Sequence, residues 1–163
     1  MYKAYLSLGS NLGNRIDNIV KAIQELSRLE KFVVIKKKSS FYETEPFGFK
    51  DQPFFINITI EIETTFEPIF LLKVCKEIEF LLGRKFRERM HEREIDMDIL
   101  FFNNKTIEAK DLNIPHRELY NRRFVLEPLN EIASDFICPK TNKSVFTLLS
   151  ECLDNSSVKR ITN

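Results

Sequence analysis

The chain has 163 residues, with 25 Lys and Arg against 24 Asp and Glu, and its formal net charge is +1 at pH 7. This length corresponds to one domain, and the 43% hydrophobic content indicates a globular protein. The balanced charge gives no reason to expect a nucleic acid or a membrane as partner, and no segment approaches a membrane span. The three distant cysteines and the lack of an N-terminal signal-peptide pattern favour a cytoplasmic protein.

The first half of the chain predicts a strand, a helix and two further strands. Residues 2–8 alternate in polarity, as a strand does, and Asn14 is a good N-cap for a helix that runs to about Leu29. The expected buried stripe of this helix consists of Ile16, Ile19, Val20, Ile23 and Leu26. Residues 32–42 predict a second strand, which could be bent, and the two prolines within residues 43–53 exclude regular structure there.

Residues 55–63 predict the clearest strand of the chain. Its two faces differ in polarity, with Ile56, Ile58, Ile60 and Ile62 on one and Phe55, Asn57, Thr59, Glu61 and Glu63 on the other. This alternation is typical of a sheet that is packed on one face and open on the other.

A second helix is expected from about Thr65 and Pro68 to Gly83. Its apolar stripe is Leu72, Cys75, Ile78 and Leu82, and it includes Glu79, which could simply reach water from an edge position. Residues 84–94 predict an exposed loop. Residues 95–102 predict a strand with Ile95, Met97, Ile99 and Phe101 on one face and Asp96, Asp98, Leu100 and Phe102 on the other. A last short helix is expected from about Val145 to Cys152, followed by a polar tail that frays.

The order of these elements predicts an α+β, ferredoxin-like fold with the pattern β-α-β-β-α-β. Both helices are expected on the isoleucine face, so that the opposite face of the sheet is an open active-site face, with a C-terminal extension beyond it. A single domain is expected over residues 1–163, with a core of about 2–130, an extension at 131–153 and a polar tail at 154–163.

Two carboxylates occur two residues apart, at Asp96 and Asp98, on the predicted open face. Side chains two apart on a strand point the same way, and two close carboxylates repel unless a cation lies between them. Mg²⁺ prefers such oxygen ligands and shares its other positions with water and phosphates. The pair therefore indicates a magnesium site, although the spacing alone also fits a strand with a solvated polar face.

A run of cationic residues precedes this pair: Arg84, Lys85, Arg87, Arg89 and Arg93. Guanidinium groups bind phosphate in a bidentate manner, so the run could form a mobile lid over a metal-bound triphosphate; it could also be an ordinary solvated loop. A stacking site for a flat heterocycle is possible around Phe55, Asn57 and Phe124, and His116 and Arg122 could contact an anion. The chain has no P-loop motif.

At these residues the chain resembles the 6-hydroxymethyl-7,8-dihydropterin pyrophosphokinases of folate biosynthesis. The resemblance rests on ordered motifs at residues 8–13 (LGSNLG), 40–48 (SFYETEPFG), 51–57 (DQPFFIN), 83–84 (GR), 93–100 (REIDMDIL), 115–117 (PHR) and 121–129 (NRRFVLEPL). One departure is clear: where the family usually has Arg-Trp-Gly-Pro-Arg, residues 89–93 here read RMHER. The register of Arg87 and Arg89 against the family is therefore unsettled.

The resemblance implies transfer of pyrophosphate from ATP to 6-hydroxymethyl-7,8-dihydropterin, with release of AMP. It implies two Mg²⁺ ions held by Asp96 and Asp98, which act in catalysis with Arg84 and Arg93. The pterin site it implies is Thr44, Pro46, Phe47, Gly48, Phe55, Asn57 and Phe124. The ATP site it implies is Glu79, Arg84, Arg93, Ile99, Asn113, His116, Arg117 and Arg122. Small-molecule substrates, no nucleic acid, no membrane and a monomer are expected.

Two other classes share the predicted strand order. An RNA-binding module would stack bases on the open face, but Asp96, Asp98, Glu61 and Glu63 on that face would repel an RNA backbone. A regulatory domain for a small ligand would not need paired aspartates beside an arginine loop. Magnesium-dependent nucleotide binding distinguishes these classes from the enzyme.

Overall fold

The computed structural model describes residues 1–162 and is built on one six-stranded antiparallel sheet and a small hairpin. The strands are β1 (Tyr2–Ser10), β2 (Val33–Lys38), β3 (Tyr42–Thr44), β4 (Phe55–Thr64), β5 (Asp96–Phe102), β6 (Ile107–Glu108), β7 (Asn113–Ile114) and β8 (Val158–Arg160). The helices are α1 (Arg15–Ser27), α2 (Pro68–Leu81), α3 (Arg123–Ala133) and α4 (Val145–Ser150), with a 3₁₀ turn at Leu119–Asn121. The order in the main sheet is β5-β1-β4-β3-β8, and β2 pairs with the other end of β4; β6 and β7 form the hairpin.

The strand predicted at residues 32–42 is present as a bent path that comprises β2 and β3. Both segments pair with β4, and at the bend between them Ser39 still bonds the main chain of Thr59 in both directions. If β2 and β3 are counted as one strand, the elements from β1 to β5 follow the predicted order β-α-β-β-α-β. The mixture of helices with an antiparallel sheet is that of an α+β protein.

Helix α1 begins as predicted, because the Asn14 side chain accepts a hydrogen bond from the main chain of Asp17. Its buried residues are Ile19, Ala22 and Leu26, whereas Ile16 and Val20 are 39% and 37% exposed. The predicted stripe was therefore wrong at those two positions. Ala22 lies on the buried side of α1 with Ile19 and Leu26, and the side that carries Ile16 and Val20 faces solvent.

Helix α2 ends as predicted at Gly83, whose φ of +85° is the left-handed conformation that glycine adopts most readily. The helix packs on the isoleucine face of the sheet through Leu71, Cys75 and Ile78. Leu72 and Leu82 of the predicted stripe are only partly buried against this core. Glu79 is fully within it, at 3% exposure, so the interpretation that it reaches water was wrong.

A bulge interrupts the alternation of β5. Leu6 of β1 pairs with Ile99 and Tyr5 pairs with Phe101, so Leu100 has no partner in the ladder. Beyond the bulge the faces are exchanged: Phe102 packs with Met97 and Ile99 on the helix side, while Phe101 packs with Leu100 on the other side. The predicted faces of Phe101 and Phe102 were therefore wrong.

The second face of the sheet is largely covered, contrary to the expectation of an open face. Helices α3 and α4 build a second core on it around Tyr5, Leu100 and Phe101, and Thr59 and Glu61 of β4 are 0% and 4% exposed. Polar alternation along β4 predicted solvent, but the helix packed above it decides burial. The end of this face that carries Phe55, Asp96 and Asp98 is partly exposed.

The C-terminal segment belongs to this structure. Helix α4 lies where a short helix was predicted, and α3 crosses the expected boundary between core and extension at residue 130. The expected fraying after Leu153 was wrong, because Val158–Arg160 forms β8 and pairs with β3. Asn163 of that tail lies outside the described residues. Within residues 1–162, no helix has the length and apolar character that crossing a bilayer requires.

Candidate active site

The end of the second face that carries Phe55, Asp96 and Asp98 borders a cavity of about 390 Å³. It is lined by residues from the sheet, from the loop at residues 84–94 (the arginine loop), from the loop at residues 45–54 (the proline loop) and from the start of α3. Thirteen of the residues expected at the site line it: Thr44, Phe47, Phe55, Asn57, Arg84, Arg93, Asp96, Asp98, Asn113, His116, Arg117, Arg122 and Phe124.

Four expected residues do not line the cavity. Pro46 is buried beside it, and Ile99 belongs to the core on the helix side, so its side chain cannot face the cavity. Gly48 has a φ of +86° and lies so close to Met90 that a Cβ would be 2.6 Å from the Met90 sulfur. The close approach that glycine permits there is thus made by the arginine loop. Glu79, the fourth, lies beneath the cavity.

Asp96 and Asp98 form the floor of the cavity on β5, but their surroundings differ. Asp96 accepts from two arginines, with Oδ1 2.7 Å from Arg84 Nη1 and Oδ2 2.8 Å from Arg93 Nη1. Burial would raise the pKa of the Asp96 carboxyl, but Arg93 and Arg84 hold it below its ordinary value. Asp96 is therefore a charged group that is already neutralised by the loop.

Asp98 has much weaker compensation. Within residues 1–162 its one ion-pair contact is with His116 Nε2, 3.9 Å away. Burial, together with the charge of Asp96, raises the pKa of the Asp98 carboxyl. Two adjacent carboxylates with a shortage of positive charge at one of them form a set of hard oxygen donors that favours a divalent cation.

The number of donors also limits what could be bound. Within residues 1–162, no group of three or more His, Cys, Asp or Glu side chains is arranged to hold a metal ion by itself. A metal at Asp96 and Asp98 would have to complete its coordination with water and substrate oxygens. That is the usual manner in which Mg²⁺ binds beside phosphates, so the residues fit this ion.

Beneath the floor, Glu79 and Lys76 of α2 contact the main chain between the two aspartates. The Met97 N–H donates to Glu79 Oε1 at 2.7 Å, and Lys76 Nζ donates to Glu79 Oε1 at 2.9 Å and to the Met97 carbonyl at 3.4 Å. Arg84 Nη1 is 2.5 Å from Glu79 Oε2. Burial is the largest influence on the Glu79 carboxyl and raises its pKa despite these cations. The sequence interpretation missed Lys76, although its position three residues before Glu79 places both on one helix face.

The arginine loop lacks regular structure, as predicted, but several of its side chains fold inward. Arg87 donates two hydrogen bonds to Glu94, at 2.9 and 2.8 Å. Asn11 in the glycine-containing turn after β1 bonds the main chain of Arg93 in both directions, at 3.2 and 2.8 Å. Arg89 and Met90 also line the cavity. No role had been assigned to Asn11 or Met90, because only the fold brings them to the site.

The proline loop and the arginine loop touch at their tips. Gln52 Nε2 donates to the Met90 carbonyl at 2.7 Å, and the rings of Phe49 and His91 stack with centroids 4.6 Å apart. These contacts lie at residues 90–92, where Met-His-Glu replaces the expected Trp-Gly-Pro. The altered segment therefore has its own means of joining the two loops.

The expected heterocycle site lies at the aromatic end of the cavity. Asn57 is buried and donates to Thr44 Oγ1 at 2.7 Å, which fixes the orientation of its amide. A Cβ at Gly9 would be 2.5 Å from Asn57 Oδ1, so glycine is needed on the neighbouring strand. Phe55 and Phe124 both line the cavity, and the Arg122 guanidinium lies 5.8 Å from the centre of the Phe124 ring.

The chain is similar in sequence to known proteins of one family. A sequence model of the family described as 7,8-dihydro-6-hydroxymethylpterin-pyrophosphokinase (HPPK) matches residues 5–134. A Haemophilus influenzae protein named 2-amino-4-hydroxy-6-hydroxymethyldihydropteridine pyrophosphokinase is 38% identical over 160 residues, which cover 98% of each chain. A Bacillus subtilis protein of the same name is 43% identical over 129 residues, 79% of this chain and 77% of that one.

Similar domains also occur within longer proteins. The bifunctional protein FolKE of Lactococcus lactis is 38% identical over 152 residues, which cover 93% of this chain but 43% of that protein. A crystal structure titled as HPPK-DHPS in complex with substrates superposes with a TM-score of 0.71 at 18% identity, over 91% of this chain and 43% of that one. At this identity the superposition establishes the fold.

Proposed function

The chain belongs to the 7,8-dihydro-6-hydroxymethylpterin-pyrophosphokinase family, and on that basis we propose that it transfers the pyrophosphoryl group of ATP to 6-hydroxymethyl-7,8-dihydropterin. It is thus a pyrophosphokinase of folate biosynthesis, which confirms the resemblance found in the sequence. The observation that carries the proposal is one cavity in which an aspartate pair and two arginines face an aromatic and amide-lined end.

The aromatic end is proposed as the pterin site. Phe55 and Phe124 would hold the flat ring between them, and Asn57 with the main chain of residues 44–47 would read its polar edge. The hydrogen bond from Asn57 to Thr44 and the buried position of Asn57 support this role, because an amide held in one orientation can discriminate donors from acceptors. The side chain of Pro46 and the residue Gly48 would shape the loop rather than contact the ring.

The basic part of the cavity is proposed as the ATP site. Arg84, Arg93, His116 and Arg122 would bind phosphates, with Asn113 and Arg117 beside them on the cavity wall. Ile99 could contribute main-chain atoms only, since its side chain is in the core. Glu79 would act from beneath by orienting Arg84.

Two Mg²⁺ ions are proposed at Asp96 and Asp98, in the manner that the donor set allows. When bound there, they would neutralise charge on the phosphate oxygens and help to align the two substrates. The enzyme's own contribution to this step is to keep both carboxylates on one face of a strand whose main chain is held by Glu79 and Lys76.

The chemical step forms a bond between the pterin hydroxymethyl oxygen and the β-phosphorus of ATP. The bond from that phosphorus to the α,β-bridging oxygen breaks, AMP leaves with that oxygen, and the hydroxyl proton is released. Little covalent chemistry is required of the protein, so positioning and electrostatic stabilisation dominate. Arg93 and Arg84 can stabilise the negative charge that develops on the departing AMP.

The proposal also includes the fold class, the oligomeric state and the cellular location that the sequence predicts. From the strand order we infer a fold of the ferredoxin-like class, and we infer that the protein works as a cytoplasmic monomer on small-molecule substrates.

The test of function is incubation of the purified protein with ATP, Mg²⁺ and 6-hydroxymethyl-7,8-dihydropterin. AMP should form one-for-one with pterin consumed, only in the presence of Mg²⁺. Formation of ADP as the coupled product would refute pyrophosphoryl transfer.

A further inference from the structure

Lys76 is a cationic side chain at the cavity, and the proposed function gives it only the role of holding the main chain of β5. Lys76 lies on α2, so it enters the cavity from a helix rather than from the arginine loop. About half of its side chain is exposed, and this exposed part faces the space in which a substrate would lie. An ammonium group on a regular element is already in position before any loop moves.

The contacts of Lys76 tie it to the aspartate pair. Its ammonium donates to Glu79 and to the carbonyl of Met97, the residue that separates Asp96 from Asp98. In the described part of the chain β5 pairs with β1 alone, so its other side is a sheet edge. Lys76 and Glu79 together satisfy the Met97 carbonyl and N–H on that edge, which a neighbouring strand would otherwise do.

The positive charge of Lys76 also compensates the negative charge of the two aspartates. Burial lowers the pKa of the Lys76 ammonium, but Glu79, Asp98 and Asp96 more than compensate and raise it. Lys76 therefore stays protonated at neutral pH. Asp96 already has two arginine partners, whereas among residues 1–162 Asp98 has only the long contact with His116, so the Lys76 charge matters most for Asp98.

We propose that Lys76 is a further substrate-binding cation of the active site, which neutralises the aspartate pair in the free enzyme and binds the polyphosphate of the nucleotide once metal ions hold the carboxylates. This inference rests on the proposed function. It follows from the placement of one ammonium that contacts the Met97 carbonyl, between the two aspartates, and also lines the cavity. Once a divalent cation binds the carboxylates, they no longer need the positive charge of Lys76. The ammonium can then bind the phosphates instead.

The proposal predicts two effects of opposite sign when the charge is removed. In Lys76→Met, metal binding to the free protein should tighten about threefold to tenfold, because a competing positive charge near Asp96 and Asp98 is gone. Binding of the nucleotide at saturating metal should weaken about tenfold, because a charge-assisted contact to phosphate is lost. If Lys76 only supported the main chain of β5, its replacement would weaken both metal binding and nucleotide binding.

The experiment uses the whole chain and two probes. Mn²⁺ binding without nucleotide is followed by electron paramagnetic resonance, and α,β-methylene-ATP, whose α,β bridge cannot be cleaved, is titrated at saturating Mg²⁺. Lys76→Arg should keep both affinities near those of the natural protein. Lys73→Met is the matched control, because Lys73 is exposed on the same helix and does not line the cavity. If Lys76→Met does not fold, Lys76→Gln serves in its place.

Tighter Mn²⁺ binding together with weaker analogue binding supports the proposal. A loss of both affinities, no change in either, or a change in only one of them overturns it. If the natural protein itself fails to bind α,β-methylene-ATP with Mg²⁺, the proposed function fails, and that result is distinct from a negative result at Lys76.

Discussion

The floor and the wall of the cavity are held in place by different forces. The floor is β5, where Asp96 and Asp98 are kept by main-chain pairing with β1 and by Glu79 and Lys76 on the free edge. The wall is the arginine loop, which has no regular main-chain pairing. Its side chains are held chiefly by ion pairs, among them those from Arg84 and Arg93 to the floor itself.

This difference indicates which part of the site changes conformation when substrate binds. Ion pairs between partly exposed groups are exchanged easily when a more highly charged partner arrives. Nucleotide phosphates would compete with Asp96 for Arg84 and Arg93, while metal ions would compete with the arginines for Asp96. A backbone ladder offers no such exchange. We therefore expect the floor to keep its conformation and the wall to move when substrate binds.

The largest effect is expected at the floor. Asp96→Asn and Asp98→Asn should each reduce turnover by about a thousandfold or more, because a metal contributes several kcal/mol to transition-state stabilisation. Both variants should remain folded, since asparagine fits the same positions on β5. AMP formation and thermal unfolding by circular dichroism provide the two measurements. Asp135→Asn, an exposed change outside the cavity, is the control. Near-normal turnover in both variants would remove the metal assignment.

The next effect concerns the wall. Arg93→Ala should reduce the catalytic rate at least about a hundredfold while nucleotide affinity falls far less, because a cation that acts on developing charge stabilises the transition state selectively. Single-turnover kinetics and equilibrium binding of α,β-methylene-ATP separate the two quantities. Arg28→Ala, at the end of α1, is the control. Equal losses of rate and affinity would make Arg93 an ordinary anchor and would contradict a moving wall.

A smaller effect is expected where the floor meets the helix behind it. Burial raises the pKa of Glu79, so its ion pairs do not fully offset the cost of burying its charge, and Glu79→Gln should change stability by no more than about 1 kcal/mol. Turnover should still fall about tenfold, because Arg84 loses its orienting partner. Glu79→Ala should cost at least about 2 kcal/mol, since the Met97 N–H then lacks a buried acceptor.

Urea unfolding and steady-state kinetics test these three statements together. Glu77→Gln on the exposed side of α2 is the matched control and should change neither quantity. If Glu79→Gln destabilised the protein as strongly as Glu79→Ala, the charge and not the hydrogen bond to Met97 would be what holds the edge of β5.

The smallest effect is expected within the wall itself. Hydrogen bonds from Arg87 hold the pKa of Glu94 at about 2, below its ordinary value of 4.5. A depressed carboxyl pKa contributes stability that is present above about pH 4.5 and is lost as the pH falls through about 2. Arg87→Ala should therefore lower the melting temperature at pH 6, and the difference from the natural protein should shrink towards pH 2. Turnover should change less than about threefold, because Arg87 is bonded to Glu94 and does not line the cavity.

Lys85→Ala, an exposed change in the same loop, should show no such pH dependence. A difference in melting temperature that stayed constant between pH 6 and pH 2 would show that Arg87 supports the loop by packing and not through Glu94. A large loss of turnover in Arg87→Ala would instead place this residue among the groups that act on substrate.

Local patterns predicted the site residues that belong to regular elements. Alternation along β4 and β5 placed Phe55, Asn57, Asp96 and Asp98 on one face, and these four side chains do line one cavity. The pattern also predicted the two flanking helices, because Asn14 and Gly83 mark the start of α1 and the end of α2. Motifs in loops were predicted only through the family resemblance, since loop conformation depends on contacts that lie outside the loop.

The amino-acid sequence was therefore sufficient to predict the strands from β1 to β5, the first two helices, the aspartate pair and the family. It was sufficient because side-chain periodicity, caps and motifs are properties of neighbouring residues. Only the tertiary structure decided that α3 covers Thr59 and Glu61, that a bulge at Leu100 exchanges the faces of Phe101 and Phe102, and that the arginine loop rests on Asp96. Each of these depends on residues distant in the chain, where burial and charge compensation are settled by the partner that folding brings into contact.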